Sequence, residues 1–250
     1  MTDTSDHPPM DVLIVAYRNP DQLRSCLDSV RAHLPGERIL VWDNSGDFDG
    51  VRALAAAYPE IGWHLGSANI GFAAAVNRLA DLTDGHDFLL LNPDAVLLTD
   101  LTPTRTLLRE PGVAAVAPMV DDPNDAGSHR TWDVAHREVG VLGRLLDHAW
   151  YSPRLRRLPA TSLYPDQPGE VGGYLTGACL AIRGDVWARL GPFDEEFFLY
   201  GEEEQWQRRA RRAGYRLLLA DEVAVTHSGH GTVADDGPAA RRSGDLLQAN

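Results

Sequence analysis

Two features of secreted and membrane proteins are missing from this sequence. Only two cysteines occur, Cys26 and Cys179, and they are far apart in the chain. Two distant cysteines provide neither a disulfide framework nor the spacing of a zinc site, so a reducing compartment is expected. No stretch approaches the roughly 20 apolar residues of a membrane-spanning helix, and residues 1–10 lack the apolar segment of a secretory signal. The sequence therefore predicts a soluble, cytoplasmic protein with at most peripheral membrane contact.

Positive charge is also scarce. Lysine and arginine number 23 against 36 aspartate and glutamate residues, which gives a formal net charge of −13. An acidic surface repels phosphate backbones, so a nucleic-acid partner is not expected. Neither the Gly-x-Gly-x-x-Gly dinucleotide fingerprint nor a Gly-Lys-Ser/Thr phosphate loop is present. A dehydrogenase is therefore disfavoured, and a sugar nucleotidyltransferase lacks the Gly-rich basic loop that it needs after the first strand.

What the chain does contain is a regular alternation of strand and helix signals. Hydrophobic residues make up 44% of the 250 residues, which is ordinary for one globular domain. Short β-branched or Leu-rich runs, such as residues 11–17, 38–42 and 88–91, alternate with helical patterns. Asn19 is predicted to cap the first helix and Pro20 to occupy its first turn. This alternation predicts an α/β fold with a Rossmann-like, mainly parallel sheet flanked by helices.

Polar residues follow several of these apolar runs. In an open parallel sheet, ligands bind beyond the carboxyl ends of the strands, so these residues are predicted to converge on one crevice. The residues concerned are Tyr17 and Asn19, Asp43-Asn44-Ser45, Asn92-Pro93-Asp94 and His227. Asp94, held beside a rigid proline, suits a hard cation that bridges two phosphates. The alternative is a plain turn in which Asn and Asp satisfy backbone groups.

Two further segments carry chemistry. Residues 69–73 open a helix, where Gly71 permits close backbone approach and the helix N-terminus favours anions. Glu202, Glu203 and Glu204 are consecutive carboxylates, and their repulsion raises a pKa and makes one of them a useful general base. The competing interpretation is that they stabilise a helix start through the helix dipole.

Taken together and in order, these segments resemble glycosyltransferase family 2, the inverting enzymes with a GT-A fold, and in particular its rhamnosyltransferase-like branch. The resemblance runs over about residues 11–232. The resemblance implies that Glu203, beside Glu202, is the catalytic base and that Asp94 and His227 bind Mg²⁺ or Mn²⁺. It also implies that the nucleotide-sugar donor is bound by Ala16, Tyr17, Asn19, Asp43, Asn44, Ser45, Asn69, Gly71, Phe72, Asn77, Asn92, Pro93 and Asp94. The implied acceptor-binding residues are Gly177, Ala178 and Tyr200.

The chain departs from the family pattern in its acidic residues. The catalytic pair is usually Glu-Asp and is Glu202-Glu203 here, and Gln205 stands where the segment has a later acid. Arg209 falls where that segment has an arginine. In the metal-binding triplet only Asp94 keeps the acid.

The resemblance also divides the chain. It implies a donor half over 11–120, an acceptor and catalytic half over 121–232 and a tail over 233–250. The polar composition of residues 1–10, with Pro8 and Pro9, predicts a disordered tail, and the local pattern predicts helices at 141–150. The end of the tail over 233–250, residues 245–250, is expected to start a helix that relatives complete. The implied reaction moves a sugar, by first expectation L-rhamnose from a dTDP-linked donor and otherwise a UDP-linked sugar, to a glycan, lipid-linked or small-molecule acceptor. The alternatives are a sugar nucleotidyltransferase and a non-catalytic sugar- or partner-binding module.

Overall fold

A computed structural model describes residues 8–46, 49–121, 134–136 and 168–227. The predicted helices at 141–150 and the predicted C-terminal helix start at 245–250 lie outside these ranges. So do residues 1–7 of the predicted tail. The tail prediction is one residue too long at its other end, since Met10 is a buried residue of the first strand.

The first half consists of βα units. Its elements are β1 (Met10–Ala16), α1 (Pro20–His33), β2 (Ile39–Asp43), α2 (Asp49–Ala57), β3 (Gly62–Leu65), α3 (Phe72–Ala80) and β4 (Asp87–Leu91). Leu23, Cys26, Leu27 and Val30 form the buried apolar stripe of α1. Asn19 does occupy the N-cap position, but its backbone is left-handed and its side chain makes no capping hydrogen bond, so the predicted capping mechanism is wrong.

The second half has more strands than its sequence pattern predicts. Its elements are β5 (Ala95–Leu97), α4 (Thr102–Leu108), β6 (Val113–Asp121), β7 (Ala135–His136), β8 (Gly169–Glu170), β9 (Tyr174–Leu175), β10 (Cys179–Ile182), α5 (Gly184–Leu190), α6 (Glu202–Arg212) and β11 (Arg216–His227). The last element, β11, is one continuous strand of 12 residues, and its pairing with β6 shifts register between Leu219 and Val225.

One sheet of nine strands organises the described residues. Its order is β3-β2-β1-β4-β10-β6-β11-β5, with β8 also paired to β11. The neighbours from β3 to β4 are parallel, as predicted, and so are β6 and β11. In contrast, β10 runs antiparallel between β4 and β6, and β5 and β8 run antiparallel to β11. The sheet is therefore mixed, and a separate pair, β7-β9, lies beside it.

An aromatic cluster fixes the helix that carries the acidic residues. The ring of Trp187 on α5 contacts the rings of Phe88 on β4, Phe193 and Trp206 on α6, with centroids 5.0 to 5.5 Å apart. Trp206 is fully buried, and its indole N–H donates to Gly191 O at 3.0 Å. Because aromatic contacts of this kind bury large apolar areas, they hold α6 firmly against the sheet.

Candidate functional site

A cleft of about 330 Å³ opens where the carboxyl ends of β1, β2, β4 and β11 meet. Its described lining comes from seven stretches of the chain. These are residues 15–19 with Gln22 and Leu23, Asn44, residues 69 and 71–72, residues 92–94, residues 176–178, residues 198–200 with Glu202 and Glu203, and His227. The predicted convergence of separated polar segments on one crevice therefore has a physical site.

The turn after β1 has a backbone that costs free energy. Arg18 and Asn19 both have left-handed conformations, with φ of 51° and 54°. Such conformations cost about 1–3 kcal/mol each in a non-glycine residue and are typical of functional turns. The turn is held by the backbone N–H of Arg18, which donates to Ser45 Oγ, and the Arg18 guanidinium lies 5.2 Å from the centre of the Tyr17 ring.

Asn44 ties the loop after β2 to the start of α3. Its side-chain oxygen accepts from the indole N–H of Trp42 at 3.1 Å and from the backbone N–H of Ile70 at 3.2 Å. Its amide nitrogen donates to Gly71 O at 3.0 Å. Its own backbone N–H donates to Ala16 O at 2.8 Å. The side chain of Asn44 thus borders the cleft with its hydrogen-bonding capacity largely used, so it shapes the wall.

Asp43 and Ser45 lie behind this wall and are not among the residues that line the cleft. Asp43 Oδ1 accepts from the backbone N–H of Ser45 at 2.8 Å. The other carboxylate oxygen, Oδ2, is buried without a hydrogen-bond partner, and burial raises the pKa of this side chain. An unpartnered buried acceptor at the ligand edge of a sheet suits an N–H donor such as that of a nucleobase.

Gly71 brings the start of α3 against the segment that precedes the acidic residues. Its φ of 88° and ψ of 166° lie in a region reserved for glycine. An added Cβ would lie 2.9 Å from the backbone oxygen of Phe198. The N–H of Phe72, the first of α3, donates to that same oxygen at 2.8 Å. The helix start therefore binds the protein's own backbone, and Asn69 stabilises it by accepting from Gly71 N at 2.9 Å.

The structure gives Asn77 a structural role in place of the predicted donor contact. Its amide accepts from Phe193 N at 2.9 Å and donates to Phe193 O and to Glu195 Oε1, both at 3.0 Å. Asn77 is buried outside the cleft lining. Its side chain fastens α3 to the chain between α5 and α6.

Asp94 and His227 form a carboxylate–imidazole pair in the cleft. Asp94 Oδ1 lies 3.1 Å from His227 Nε2, and only 7% and 10% of the two side chains are exposed. The pair exists because β5 and β11 are antiparallel neighbours in a register that places His227 opposite Ala95. Asn92 Nδ2 lies 3.2 Å from the same histidine nitrogen, and Asn92 N donates to Ala178 O at 3.0 Å.

These two side chains fit a divalent cation that is shared with a diphosphate. The described part of the chain contains no cluster of three or more histidine, cysteine, aspartate or glutamate residues suited to a metal. Mg²⁺ and similar hard cations usually take one or two protein ligands and complete their shell with substrate phosphates and water. A pair of this composition therefore suits a cation that arrives with its ligand, and it does not suit a resident structural metal.

Glu202 and Glu203 stand at the first turn of α6, directly after Gly201, whose φ is 99°. Burial, reinforced by the neighbouring charge of Glu203, raises the pKa of Glu202 well above its usual range. Burial also raises the pKa of Glu203, but a hydrogen bond from Glu202 opposes that rise. Glu202 therefore keeps its proton to a higher pH than Glu203, so Glu203 is the first of the pair to ionise and the one suited to accept a proton.

The predicted acceptor residues surround Glu203. A Cβ added at Gly177 would lie 3.9 Å from Cγ and Oε1 of Glu203, so the glycine keeps this side of the carboxylate open. Tyr200 has a left-handed backbone with φ of 70° and is 39% exposed. Burial and the charges of Glu203, Glu202 and Asp94 raise the pKa of its hydroxyl. Gly177, Ala178 and Tyr200 line the same cleft as Glu203.

The cleft also contains residues that sequence reasoning missed: Val15, Arg18, Gln22, Leu23, Thr176, Phe198 and Leu199. Most of them neighbour a predicted residue, and that adjacency was the available signal. Among the described lining residues Arg18 alone carries a permanent positive charge. Arg209, which the family pattern singled out, lies on the other side of α6 and donates to the backbone oxygens of Leu190 and Pro192.

An open α/β sheet with a nucleotide-sized cleft, an Asp–His pair and a buried acid pair defines the class of GT-A glycosyltransferases. The profile of one family, glycosyl transferase family 2, matches residues 11–183, and the chain belongs to that family. Both the fold and the glycosyltransferase predictions are therefore confirmed.

Curated relatives narrow the likeness. The chain is 28% identical over 253 positions to the N-acetylglucosaminyl-diphospho-decaprenol L-rhamnosyltransferase of Mycobacterium tuberculosis. That alignment covers 90% of this chain and 78% of the relative. It is 23% identical over 226 positions to rhamnosyltransferase WbbL of Escherichia coli K12, with 88% and 83% coverage. The resemblance to rhamnosyltransferases that the motifs predict is confirmed.

Solved structures share the fold. GalNAc-T7 with UDP, GalNAc and Mn²⁺ aligns with a TM-score of 0.68 at 15% identity, over 89% of this chain and 44% of that one. The mannosyltransferase of Pyrobaculum calidifontis in complex with GDP-Man and Mn²⁺ aligns with a TM-score of 0.61 at 19% identity, over 98% and 64%. This chain thus spans less than two thirds of either solved chain. None of the helices within the described ranges has the length and apolar content needed to cross a bilayer.

Proposed function

We propose that this protein is an inverting rhamnosyltransferase that moves L-rhamnose from dTDP-rhamnose to a hydroxyl of a prenyl-diphosphate-linked N-acetylglucosamine. The observation that carries the proposal is the meeting of two chemistries in one cleft: the Asp94–His227 pair and the Glu202–Glu203 pair. The acceptor class follows the name of the Mycobacterium tuberculosis relative, and the sugar follows both relatives.

The reaction is a single displacement. Glu203 takes the proton of the acceptor hydroxyl as the hydroxyl oxygen forms a bond to the anomeric carbon. The bond from that carbon to the diphosphate oxygen breaks on the opposite face, so the configuration inverts and dTDP leaves with the electron pair. Because the transition state carries charge on the sugar ring, positioning of the reactants and electrostatic stabilisation supply most of the rate.

The donor end of the cleft is suited to a nucleoside diphosphate. Asp94 and His227 would hold a Mg²⁺ or Mn²⁺ ion, which when bound neutralises the charge of the departing diphosphate. Both solved neighbours contain Mn²⁺ with a nucleotide or nucleotide-sugar. Arg18, which also lines the cleft, supplies a permanent positive charge that suits the diphosphate.

The test is thermal stability with dTDP, UDP and GDP, each with and without Mn²⁺. A ligand at 100 times its Kd adds about 2.7 kcal/mol to folding stability, which is roughly 5–10 °C in Tm for a chain of this size. We expect the largest shift with dTDP and Mn²⁺ and no metal-dependent part in Asp94→Asn. The matched control is Asp185→Asn, which removes an exposed carboxylate of α5. A metal-dependent shift that survives in Asp94→Asn refutes the assignment of Asp94.

The catalytic assignment is tested separately. Glu203→Gln should lower kcat at least a hundredfold and leave dTDP binding within about twofold, since a general base contributes typically about 10²–10⁴-fold. Glu202→Gln, which can still donate a hydrogen bond to Glu203, should retain far more activity. Equal losses in the two variants would mean that the proton is not taken by Glu203.

A further inference from the structure

The side chain of Gln207 binds one backbone residue with both ends of its amide. Its Oε1 accepts from Leu175 N at 2.8 Å, and its Nε2 donates to Leu175 O at 2.7 Å. Both residues are fully buried. Two hydrogen bonds to the N–H and C=O of one residue reproduce what a neighbouring β-strand would provide. Gln207 therefore acts as the strand partner of Leu175 from within a helix.

This contact holds a strand that is otherwise weakly supported. β9 is only two residues long and pairs with the equally short β7. On the side that faces β7, the chain is held by Thr176 N, which donates to Val134 O at 2.9 Å. Because successive strand residues direct their backbone groups to opposite sides, Leu175 faces α6. Without Gln207, both backbone groups of Leu175 would be buried without partners.

β9 leads directly into the acceptor turn, which we define as residues 176–178. All three residues line the cleft. The far end of the acceptor turn is fixed by Ala178 O, which accepts from Asn92 N at 3.0 Å. The near end is fixed by the clamp between Gln207 and Leu175. The acceptor turn is thus tied at one end to the Asp94 side of the cleft and at the other to the helix of the acid pair.

Gln207 and Glu203 share one face of α6. They are four residues apart, and residues at that spacing are neighbours on a helix surface. Glu203 lies against the middle of the acceptor turn, with its Oε1 3.9 Å from the Cβ position of Gly177. One helix face therefore carries both the carboxylate and the side chain that fixes the opposite wall.

We propose that Gln207 is a positioning residue for sugar transfer: its amide, bonded to Leu175, fixes the acceptor turn at the distance from Glu203 that an acceptor hydroxyl needs. This inference rests on the proposed function. The donor wall is held by other contacts, chiefly those of Asn44 and Asn69. Gln207 thus controls the acceptor and the chemical step and leaves donor affinity unchanged.

The test compares Gln207→Met with wild type and with Leu54→Ala. Methionine preserves the length of the side chain and removes both hydrogen bonds. Leu54 is buried on α2, away from the cleft lining, so Leu54→Ala lowers stability without touching the acceptor turn. For each protein we would measure kcat, corrected for the folded fraction, and the KM values for dTDP-rhamnose and for prenyl-diphospho-N-acetylglucosamine. We would also measure the Kd of dTDP in the presence of Mn²⁺.

We expect Gln207→Met to lower kcat/KM for the acceptor at least tenfold and to leave the Kd of dTDP within twofold of wild type. Leu54→Ala should change neither quantity more than twofold. If Gln207→Met matches Leu54→Ala in kcat/KM, the residue is merely structural and the proposal is overturned. Should Gln207→Met fail to fold, Gln207→Glu takes its place, since it keeps the shape and the bond from Leu175 N. A wild-type rate in Gln207→Glu overturns the proposal, whereas an acceptor-side loss with unchanged dTDP affinity supports it. Absence of transfer by the wild-type protein would instead refute the proposed function.

Discussion

Replacing Gly71 by alanine is expected to damage the protein in two separable ways. The residue has φ of 88° and ψ of 166°, a conformation that costs a non-glycine residue about 1–3 kcal/mol. In addition, the new methyl group would lie 2.9 Å from Phe198 O and 3.1 Å from its ring. The first neighbour is backbone, so a change of side-chain rotamer cannot relieve the contact.

The segment 197–199 must therefore move away from α3. That movement breaks the hydrogen bond from Phe72 N to Phe198 O, worth about 0.5–1.5 kcal/mol. Together these effects amount to roughly 2–4 kcal/mol, or a fall in Tm of about 5–15 °C for a chain of this length. Since Tyr200 and Glu202 follow within a few residues, kcat should fall at least tenfold in the molecules that remain folded.

The control is Gly36→Ala. Gly36 has φ of 96°, but an added Cβ there would meet nothing within 4 Å. It therefore reports the cost of the backbone conformation without the clash. Differential scanning fluorimetry gives Tm, and initial rates below both melting temperatures give kcat. If the two variants lose equal stability and both keep wild-type activity, the close approach of α3 to Phe198 does not position the acid pair, and the reasoning fails.

Three further results are expected. Glu202→Gln should raise Tm at pH 8 and not at pH 4, because burial raises the pKa of Glu202 in the folded state. Below the unfolded-state pKa both states hold the proton; as the pH rises the unfolded state loses it first, so the stability of the wild type falls until the folded-state pKa is passed. A Tm difference that does not depend on pH contradicts this. Asn77→Leu should lower the free energy of unfolding in urea by about 2–4 kcal/mol, because it removes three hydrogen bonds, two of them buried. The affinity for dTDP should stay unchanged, and a selective loss of affinity would restore Asn77 to the donor site. Arg18→Gln should weaken dTDP binding about tenfold at low salt, as measured by calorimetry, and less at high salt, where charges are screened. Arg18→Lys should have an intermediate effect. Equal dTDP affinity in the wild type and both variants would remove Arg18 from the diphosphate site.

The sequence predicted the first half of the fold well because its strands are continuous apolar runs between helices with a clear stripe. The apolar runs 11–17, 38–42 and 88–91 agree with β1, β2 and β4 to within one residue at each end. Strands β7, β8 and β9 have two residues each, too few for any alternating pattern. They exist because of partners distant in sequence, such as Gln207 for β9.

Some residues of the site could likewise be predicted from the sequence, and others could not. Asp94 and His227 could be placed together because both follow apolar strands, and parallel strands end at one edge. Asn77 was predicted to bind the donor, yet its amide binds the backbone of Phe193. A buried amide that binds backbone and one that binds a ligand look alike in sequence. The order of proton release in the acid pair depends on how deeply each carboxyl is buried, which neighbouring segments decide.

The irregular pairing of β11 makes the length of this strand a determinant of which side chain enters the cleft. Leu219 lies opposite Ala117, yet Val225 lies opposite Val120, so β11 carries extra residues over this stretch. Successive strand residues face opposite sides of a sheet. Deleting one residue between 220 and 222 would therefore turn His227 away from Asp94 unless the bulge absorbed the change, whereas deleting two would restore its face. Evolution or engineering of this chain should accept substitutions there far more readily than odd changes in length.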